Sequence, residues 1–210
     1  MLNKHNLAVA ALCPTDNPES RYAIHSVNVT PEYTEATDGY RLLRVTRPQG
    51  FKPEDFPQVE GVTAAKTHKP FLLPARQAAE IRKVLAVKLP ARSPKIPVLD
   101  NAVIGAETDK NGHAVIATMR DFTPHVFKPK KSEGQFPKLE NALPTEKPKF
   151  SICVNAADFA ALLKLTASMI DSYNTPVEIS FYGDDQPIKI EGQNFETGQQ
   201  ITAVIQPMRR

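Results

Sequence analysis

Cysteine is scarce in this sequence of 210 residues, with Cys13 and Cys153 as the only two. Two cysteines can form neither a disulfide framework nor a zinc site, and we expect both as buried thiols in a reducing compartment. No apolar run approaches the roughly 20 residues that a membrane-spanning helix needs. The apolar run that follows Lys4 and His5 is too short for a signal peptide. The sequence therefore predicts a cytoplasmic protein with a short N-terminal helix.

Excess charge and catalytic motifs are also lacking. The formal net charge of +3 is too small to indicate a nucleic-acid-binding protein by itself, although a local basic face could exist. The chain contains no GxxxxGK[ST], GxGxxG or HExxH motif, and its histidines show no ligand spacing. Asp184 and Asp185 lie between predicted strands, where we expect a turn rather than a metal site. We therefore expect no catalytic site, no metal and no cofactor.

Periodic apolar segments are present and predict two long helices. The first spans Pro74–Leu89, with Ile81, Val84 and Leu85 in its apolar stripe. The second spans Asn155–Asp171, with Asn155 as N-cap, and its predicted buried stripe contains Phe159, Leu162, Leu163, Thr166, Met169 and Ile170. Two-residue alternation predicts a strand over Ala23–Thr30. Later predicted strands are Ala102–Glu107, His113–Arg120, Val177–Phe181, Ile188–Glu191 and Gln200–Gln206.

The helices belong to an internal repeat. AAEIRKVL begins at Ala78 and AADFAALL begins at Ala156, which are 156 − 78 = 78 residues apart. Each copy precedes several predicted strands, so we expect stacked units that share sheets. One further step back from Ala79 reaches Met1. A first copy would therefore begin inside its helix, without its leading strand.

The most specific motif is ATDGYRLLRV, from Ala36 to Val45. Asp38 and Gly39 predict a tight turn, because Gly39 can adopt a conformation that other residues resist. The segment resembles the ATDG-x-R-L motif of bacterial DNA sliding clamps, the beta subunit of DNA polymerase III. Other segments resemble clamp segments and follow one another in clamp order along nearly the whole chain. They are RYAIHSV, FLLPARQAAEIRKVL, GQFPKLENALP and VIQPMRR, which begin at Arg21, Phe71, Gly134 and Val204.

The resemblance implies an α+β fold of DNA-clamp-like repeats, with helices on one side of antiparallel sheets. Residues 1–146 would form an N-terminally clipped domain of two units that matches the clamp's middle domain. Residues 147–210 would form a half-domain that matches the clamp's C-terminal end. Because the clamp's first domain and the first half of its third domain have no counterpart here, the usual two-subunit ring cannot be assumed, and a ring would need a homo-oligomer of several short subunits.

Clamps bind short linear peptides of polymerases and repair proteins in an apolar groove, and the resemblance implies such a groove here. Met208 and aliphatic residues would form its adaptable floor, and Arg41 or Arg209 would pair with acidic or carbonyl groups of the peptide. The alternative is that the aliphatic positions are core residues. Gln206 and Arg210 depart from the clamp pattern, which has apolar residues there. The matching positions are Ile24, Thr37, Gly39, Tyr40, Arg41, Leu42, Pro137, Ala142, Val204, Pro207, Met208 and Arg209.

Clamp helices also present basic residues to the phosphates of double-stranded DNA. The resemblance assigns this role to Arg76, Arg82, Lys83 and Lys88, with Lys128, Lys130 and Lys131 as a second basic patch. The alternative for each group is an ordinary solvated surface. Two functions therefore stand open: a sliding-clamp-like replication or repair protein that encircles DNA as an oligomer, and a non-encircling adaptor or decoy that binds peptides but not DNA. A third possibility, an unrelated enzyme built from repeats, is disfavoured by the set of clamp-like motifs.

Overall fold

The computed structural model describes residues 1–15, 22–65, 67–85, 96–107, 114–120, 122–130, 132, 134–139, 142–170 and 175–208. The chain divides into two compact units, Met1–Leu143 (unit 1) and Pro144–Arg210 (unit 2). Both units combine helices with antiparallel sheets, which is the predicted α+β class. None of the described helices is long and apolar enough to cross a membrane.

The first half of unit 1 is a helix followed by an antiparallel meander. Its elements are β1 (Leu2–Asn3), α1 (Lys4–Ala8) with a 3₁₀ turn (Val9–Leu12), β2 (Ser26–Val29), β3 (Tyr33–Thr37) and β4 (Leu42–Thr46). The start of α1 is fixed by a capping box. The Asn3 side chain accepts hydrogen bonds from the backbone N–H groups of His5 and Asn6, and the Asn6 side chain accepts one from Asn3 N–H. These bonds satisfy N–H groups that a helix terminus leaves without partners.

The second half of unit 1 repeats this order. Its elements are a 3₁₀ turn (Pro53–Asp55), β5 (Val62–Ala64), β6 (Phe71–Pro74), α2 (Ala75–Leu85), α3 (Pro97–Asp100), β7 (Asn101–Glu107), β8 (Ala114–Arg120) and β9 (Thr123–Phe127). The predicted ends at Leu89 and His113 lie outside the described residues.

The two halves of unit 1 exchange the strands that precede their helices. β1 pairs with β7 of the second half, and β6 pairs with β2 of the first half, both antiparallel. The sheets therefore run β4-β3-β2-β6 and β1-β7-β8-β9, with β5 also paired to β7. The expectation that the first copy lacks its leading strand is wrong, because Leu2 and Asn3 pair with Ala102 and Asn101.

The core of unit 1 lies where α1 and α2 meet the sheets. Leu7 of α1 and Ala78 and Ile81 of α2 are fully buried, together with Val27 and Leu73 of the sheet. The apolar stripe of α2 therefore faces the core as its spacing predicts. Full burial of a leucine or isoleucine side chain contributes about 1.5–3 kcal/mol to stability.

Unit 2 contains a single repeat in its described part. It consists of α4 (Ala156–Ile170), β10 (Glu178–Ser180), β11 (Ile188–Gln193) and β12 (Gln200–Ile205), with the sheet order β10-β11-β12. Thr166 and Ile170 of α4 are buried, but Met169 is 46% exposed, which corrects the predicted stripe. The described part of unit 2 has one helix over three strands, so only the helix face toward the sheet is covered. The predicted helix end at Asp171 lies outside the described residues.

Candidate functional site

The ATDGYRLLRV motif forms the β3–β4 hairpin, whose last strand pair is Thr37 with Leu42. Thr37 Oγ1 accepts a hydrogen bond from Gly39 N–H at 3.0 Å. The Asp38 carboxylate accepts bonds from the backbone N–H groups of Tyr40 and Arg41, at 3.0 and 2.7 Å. Gly39 has a φ of +96°, in the region that favours glycine. The motif therefore builds a turn held by its own side chains.

Arg41 completes this turn electrostatically. Its guanidinium approaches the Asp38 carboxylate at 2.6 and 2.7 Å. The backbone and side-chain hydrogen bonds from Arg41 lower the pKa of Asp38 to about 2, so this carboxylate stays ionised at neutral pH. Tyr40 is 98% exposed at the tip, and Leu42 at the start of β4 is half-buried. The turn thus presents an aromatic ring to solvent from a fixed backbone.

A buried ion pair lies behind the turn, and sequence reasoning missed it. The Glu35 carboxylate is almost fully buried and accepts hydrogen bonds from Asn28 Nδ2 at 2.9 Å and Arg44 Nε at 2.8 Å. The Arg44 guanidinium lies 4.0 Å from the centroid of the Tyr33 ring. Glu35 and Arg44 are directly opposite each other on β3 and β4. The two residues lie at equal distances on either side of the turn, and residues so placed in a hairpin face each other. This spacing in the sequence could have predicted the pair.

The predicted segments near Ile24 and Pro137 meet in unit 1. Ala23 N–H donates to the Gln135 carbonyl at 3.1 Å, next to an isolated parallel bridge between Tyr22 and Gln135. Ile24 is buried, Pro137 is half-buried and Ala142 is exposed. RYAIHSV and GQFPKLENALP therefore lie side by side, although Arg21 is outside the described residues.

The C-terminal candidate residues belong to unit 2. Val204 is 54% exposed on β12, and Met208 is 51% exposed just beyond it. Pro207 is half-buried, and Met208 N–H donates to the Cys153 carbonyl at 2.8 Å. Val204 and Met208 are therefore not core residues, unlike Ile24. Arg209 and Arg210 lie outside the described residues.

The basic candidates on α2 are solvent-exposed. Arg76, Arg82 and Lys83 all face solvent, and Arg76 forms an ion pair with Glu80 at 3.4 Å. Lys130 N–H donates to Gln77 Oε1 at 3.1 Å, so the second basic patch approaches the start of α2. Lys88 and Lys131 lie outside the described residues.

Side chains that could bind a metal do not cluster in the described part of the chain. No group of three or more His, Cys, Asp or Glu residues has a suitable arrangement there. Asp184 and Asp185 occupy a turn between β10 and β11.

Comparison with known proteins places this architecture among solved structures. No family model and no curated protein matches the sequence. The beta sliding clamp of Caulobacter crescentus, crystallised with polyethylene glycol, aligns with 98% of this chain at a TM-score of 0.60 and 16% identity. The Pseudomonas aeruginosa sliding clamp aligns with 98% at 0.63 and 14%. DNA polymerase III subunit beta of Borrelia burgdorferi, in complex with a natural product, aligns with 97% at 0.59 and 13%.

The alignments cover only part of those proteins. They span 50% of the Caulobacter and Pseudomonas chains and 44% of the Borrelia chain. At such low identity the likeness concerns the fold. Along nearly its whole length, this chain has the fold of bacterial DNA polymerase III beta sliding clamps, and it spans about half the length of those clamps.

Proposed function

We propose that this chain is a sliding-clamp-like DNA replication or repair protein of the cytoplasm. It binds short linear peptides of polymerases or repair proteins and acts as a processivity or adaptor factor rather than as an enzyme. The likeness to sliding clamps over 98% of the chain supports this proposal. The candidate residues come from the resemblance of individual segments to clamp segments. The similarity of fold concerns only the backbone on which those residues lie.

The observation that carries the proposal is the exposure of apolar side chains at the predicted groove positions. Val204 and Met208 are each more than half exposed. Solvent-exposed aliphatic and methionine side chains are suited to the apolar anchors of a short peptide, and methionine adapts to ligands of different shape. In unit 1, the Asp38–Arg41 turn holds Tyr40 and Leu42 on a fixed backbone. A site that is ordered before binding loses less conformational entropy when the peptide docks.

Fluorescence anisotropy with a labelled clamp-binding peptide tests the proposal. Leu42→Asp and Met208→Asp place a charge against apolar peptide groups, and each is expected to weaken binding by about tenfold or more. Val126→Asp is the matched control, because Val126 is a 41% exposed strand residue outside the candidate groove. Circular dichroism checks that the variants fold. Equal peptide affinity of the wild type and both groove variants would refute the groove assignment.

A second candidate is a non-encircling adaptor or decoy that holds such peptides without DNA. The ion pair between Arg76 and Glu80 on α2 favours this candidate, since it offsets part of the positive charge that a DNA-contacting helix would present to phosphates. Retention on closed circular DNA, compared with the same DNA after linearisation, separates the two. An encircling oligomer is retained only on the circle. A peptide-binding protein that is retained on neither form is the adaptor.

A further inference from the structure

Arg47, which follows β4 in unit 1, joins several chain ends through one half-buried side chain. Its guanidinium donates to the carbonyl of Thr30, the residue after β2, from Nε at 3.0 Å and also from Nη2. Nη1 donates to the Met1 carbonyl at 3.1 Å, just before β1. The backbone N–H of Arg47 donates to the Glu32 carbonyl at 2.9 Å. Arg47 therefore ties the ends of β2 and β4 to the residue that precedes β1.

The same guanidinium reaches the crossover between β5 and β6 through His68. Arg47 Nη2 lies 3.0 Å from His68 Nε2, and His68 Nδ1 lies 2.9 Å from the Lys69 carbonyl. The His68 ring meets the ring of Phe71, the first residue of β6, edge-on with 5.4 Å between the ring centroids. Because β6 pairs with β2, these contacts lie where the second half of unit 1 gives its leading strand to the first half.

The chemistry of the two side chains fixes the protonation of His68. A guanidinium has donors and no acceptor, so His68 Nε2 accepts from Arg47. The Lys69 carbonyl has no donor, so His68 Nδ1–H donates to it. Only the neutral imidazole with its hydrogen on Nδ1 makes both bonds. A proton on Nε2 would remove the acceptor and place a second cation against the Arg47 guanidinium, where like charges repel.

The surroundings of His68 also disfavour its protonated form. Burial is the largest cause that lowers the pKa of His68 below 6.5, and the positive charges of Arg47 and of the Met1 α-amino group act in the same direction. The Lys69 carbonyl and the exposed Glu32 carboxylate act in the opposite direction without reversing the result. The exposed Lys69 ammonium is the other charge beside the ring.

We propose that His68 and Arg47 form a proton-sensitive latch, which holds the β5–β6 crossover against the ends of β2 and β4. Neutral His68 closes the latch. A proton from solvent on Nε2 opens it, because the bond to Arg47 is lost and the two cations repel each other. Opening releases residues 67–70 and loosens the first residues of β6. The latch lies within unit 1, and its opening does not depend on peptide binding.

The pH range of the latch follows from linkage. Since the pKa of His68 is lower in the folded chain than in the unfolded chain, the unfolded chain binds more protons between the two values. The stabilisation by the latch is therefore complete above about pH 6.5 and is lost as the pH falls through the lowered pKa. Burial, followed by Arg47, lowers the pKa of the Met1 α-amino group to about 6, which gives a contribution of the same sign. Variants of His68 retain that contribution.

Urea unfolding of the wild type and His68→Gln at pH 7.5 and 5.5 tests the latch. Glutamine can accept from Arg47 through Oε1 but cannot be protonated. Between the two pH values, the folded-to-unfolded ratio of the wild type should fall about threefold to tenfold more than that of His68→Gln; tenfold is the limit set by an unfolded pKa of 6.5. His5→Gln, an exposed histidine of α1, is the control and should keep the wild-type pH dependence. A difference below about threefold would overturn the proposal.

NMR titration of the imidazole resonances tests the same bond in the folded wild type. At pH 7.5, His68 should carry its hydrogen on Nδ1, and its pKa should lie below 6.5. Arg47→Gln should raise the pKa of His68, because it removes the neighbouring cation. A hydrogen on Nε2 at pH 7.5, or a pKa of His68 that does not rise in Arg47→Gln, would contradict the latch.

Hydrogen exchange locates the opening. Protection factors, corrected for the intrinsic effect of pH, should fall about threefold or more at residues 71–73 of the wild type between pH 7.5 and 5.5, and should stay constant there in His68→Gln. The amides of α4, in unit 2, are the internal reference and should respond equally in both proteins. An equal loss of protection at residues 71–73 in both proteins would overturn the proposal.

Discussion

Replacing Glu35 with alanine should destabilise unit 1 strongly and loosen the hairpin that carries the candidate groove turn. The Glu35 side chain is 2% exposed, and its carboxylate lies 2.6 Å from Arg44 Nη2 in addition to its two hydrogen bonds. Removing it takes away the carboxylate that faces the Arg44 guanidinium and leaves a cavity in its place. Breaking a buried ion pair from one side typically costs about 3–5 kcal/mol. Because the Arg44 side chain is 24% exposed, we expect the lower end, about 3 kcal/mol.

Urea unfolding of four proteins measures this directly. The set is the wild type, Glu35→Ala, Arg44→Ala and the double variant, which together give the coupling free energy of the pair. We expect a coupling of about 2 kcal/mol, since neighbours in one network are strongly non-additive. Glu60→Ala, an exposed carboxylate in the same unit, should stay within about 0.5 kcal/mol of the wild type. A coupling near zero would refute the account of the hairpin.

Two further predictions concern the basic helix and the turn. Reversing Arg82 and Lys83 to glutamate should weaken association with double-stranded DNA and lower by about 2 the slope of log affinity against log salt concentration. Reversing the exposed pair Lys52 and Lys69 is the control and should change neither quantity. Unchanged or salt-insensitive DNA binding would remove α2 from the DNA-contacting surface. Gly39→Ala should destabilise unit 1 by about 1–2 kcal/mol through backbone strain alone, since φ is +96° and a Cβ there meets nothing within 4 Å. A melting temperature at or above that of the wild type would contradict the strain.

The spacing of apolar residues predicted where the helices lie better than it predicted which of their side chains are buried. The stripe at Ile81 and Leu85 is buried as predicted, because α2 faces a complete core. The same reasoning failed at Met169, because the spacing of apolar residues indicates which helix face is apolar but not whether a neighbour covers it. β11 and β12 are found close to the predicted ranges.

Long-range pairing was the part that local patterns could not predict. β1 contains only Leu2 and Asn3, too few residues for any alternation, and its partner lies about a hundred positions along the chain. α1 and α2 also pack together, and no local pattern encodes either this packing or the exchange of leading strands. The tight turn at Asp38 and Gly39 was predictable because its hydrogen bonds lie within a few residues.

The candidate groove was predicted by resemblance and not by chemistry. Its residues lie on separate segments, and Thr37 and Ile24 are buried while Tyr40, Val204 and Met208 are exposed. Whether a peptide binds these positions remains the central proposal.

Methyl NMR during titration with a clamp-binding peptide tests that proposal most directly. If the peptide binds the groove, the methyl resonances of Leu42, Val204 and Met208 shift together and saturate at one affinity, while Val126 stays unchanged. Saturable peptide binding that leaves Leu42 and Met208 unshifted, or an absence of any binding, would contradict the account.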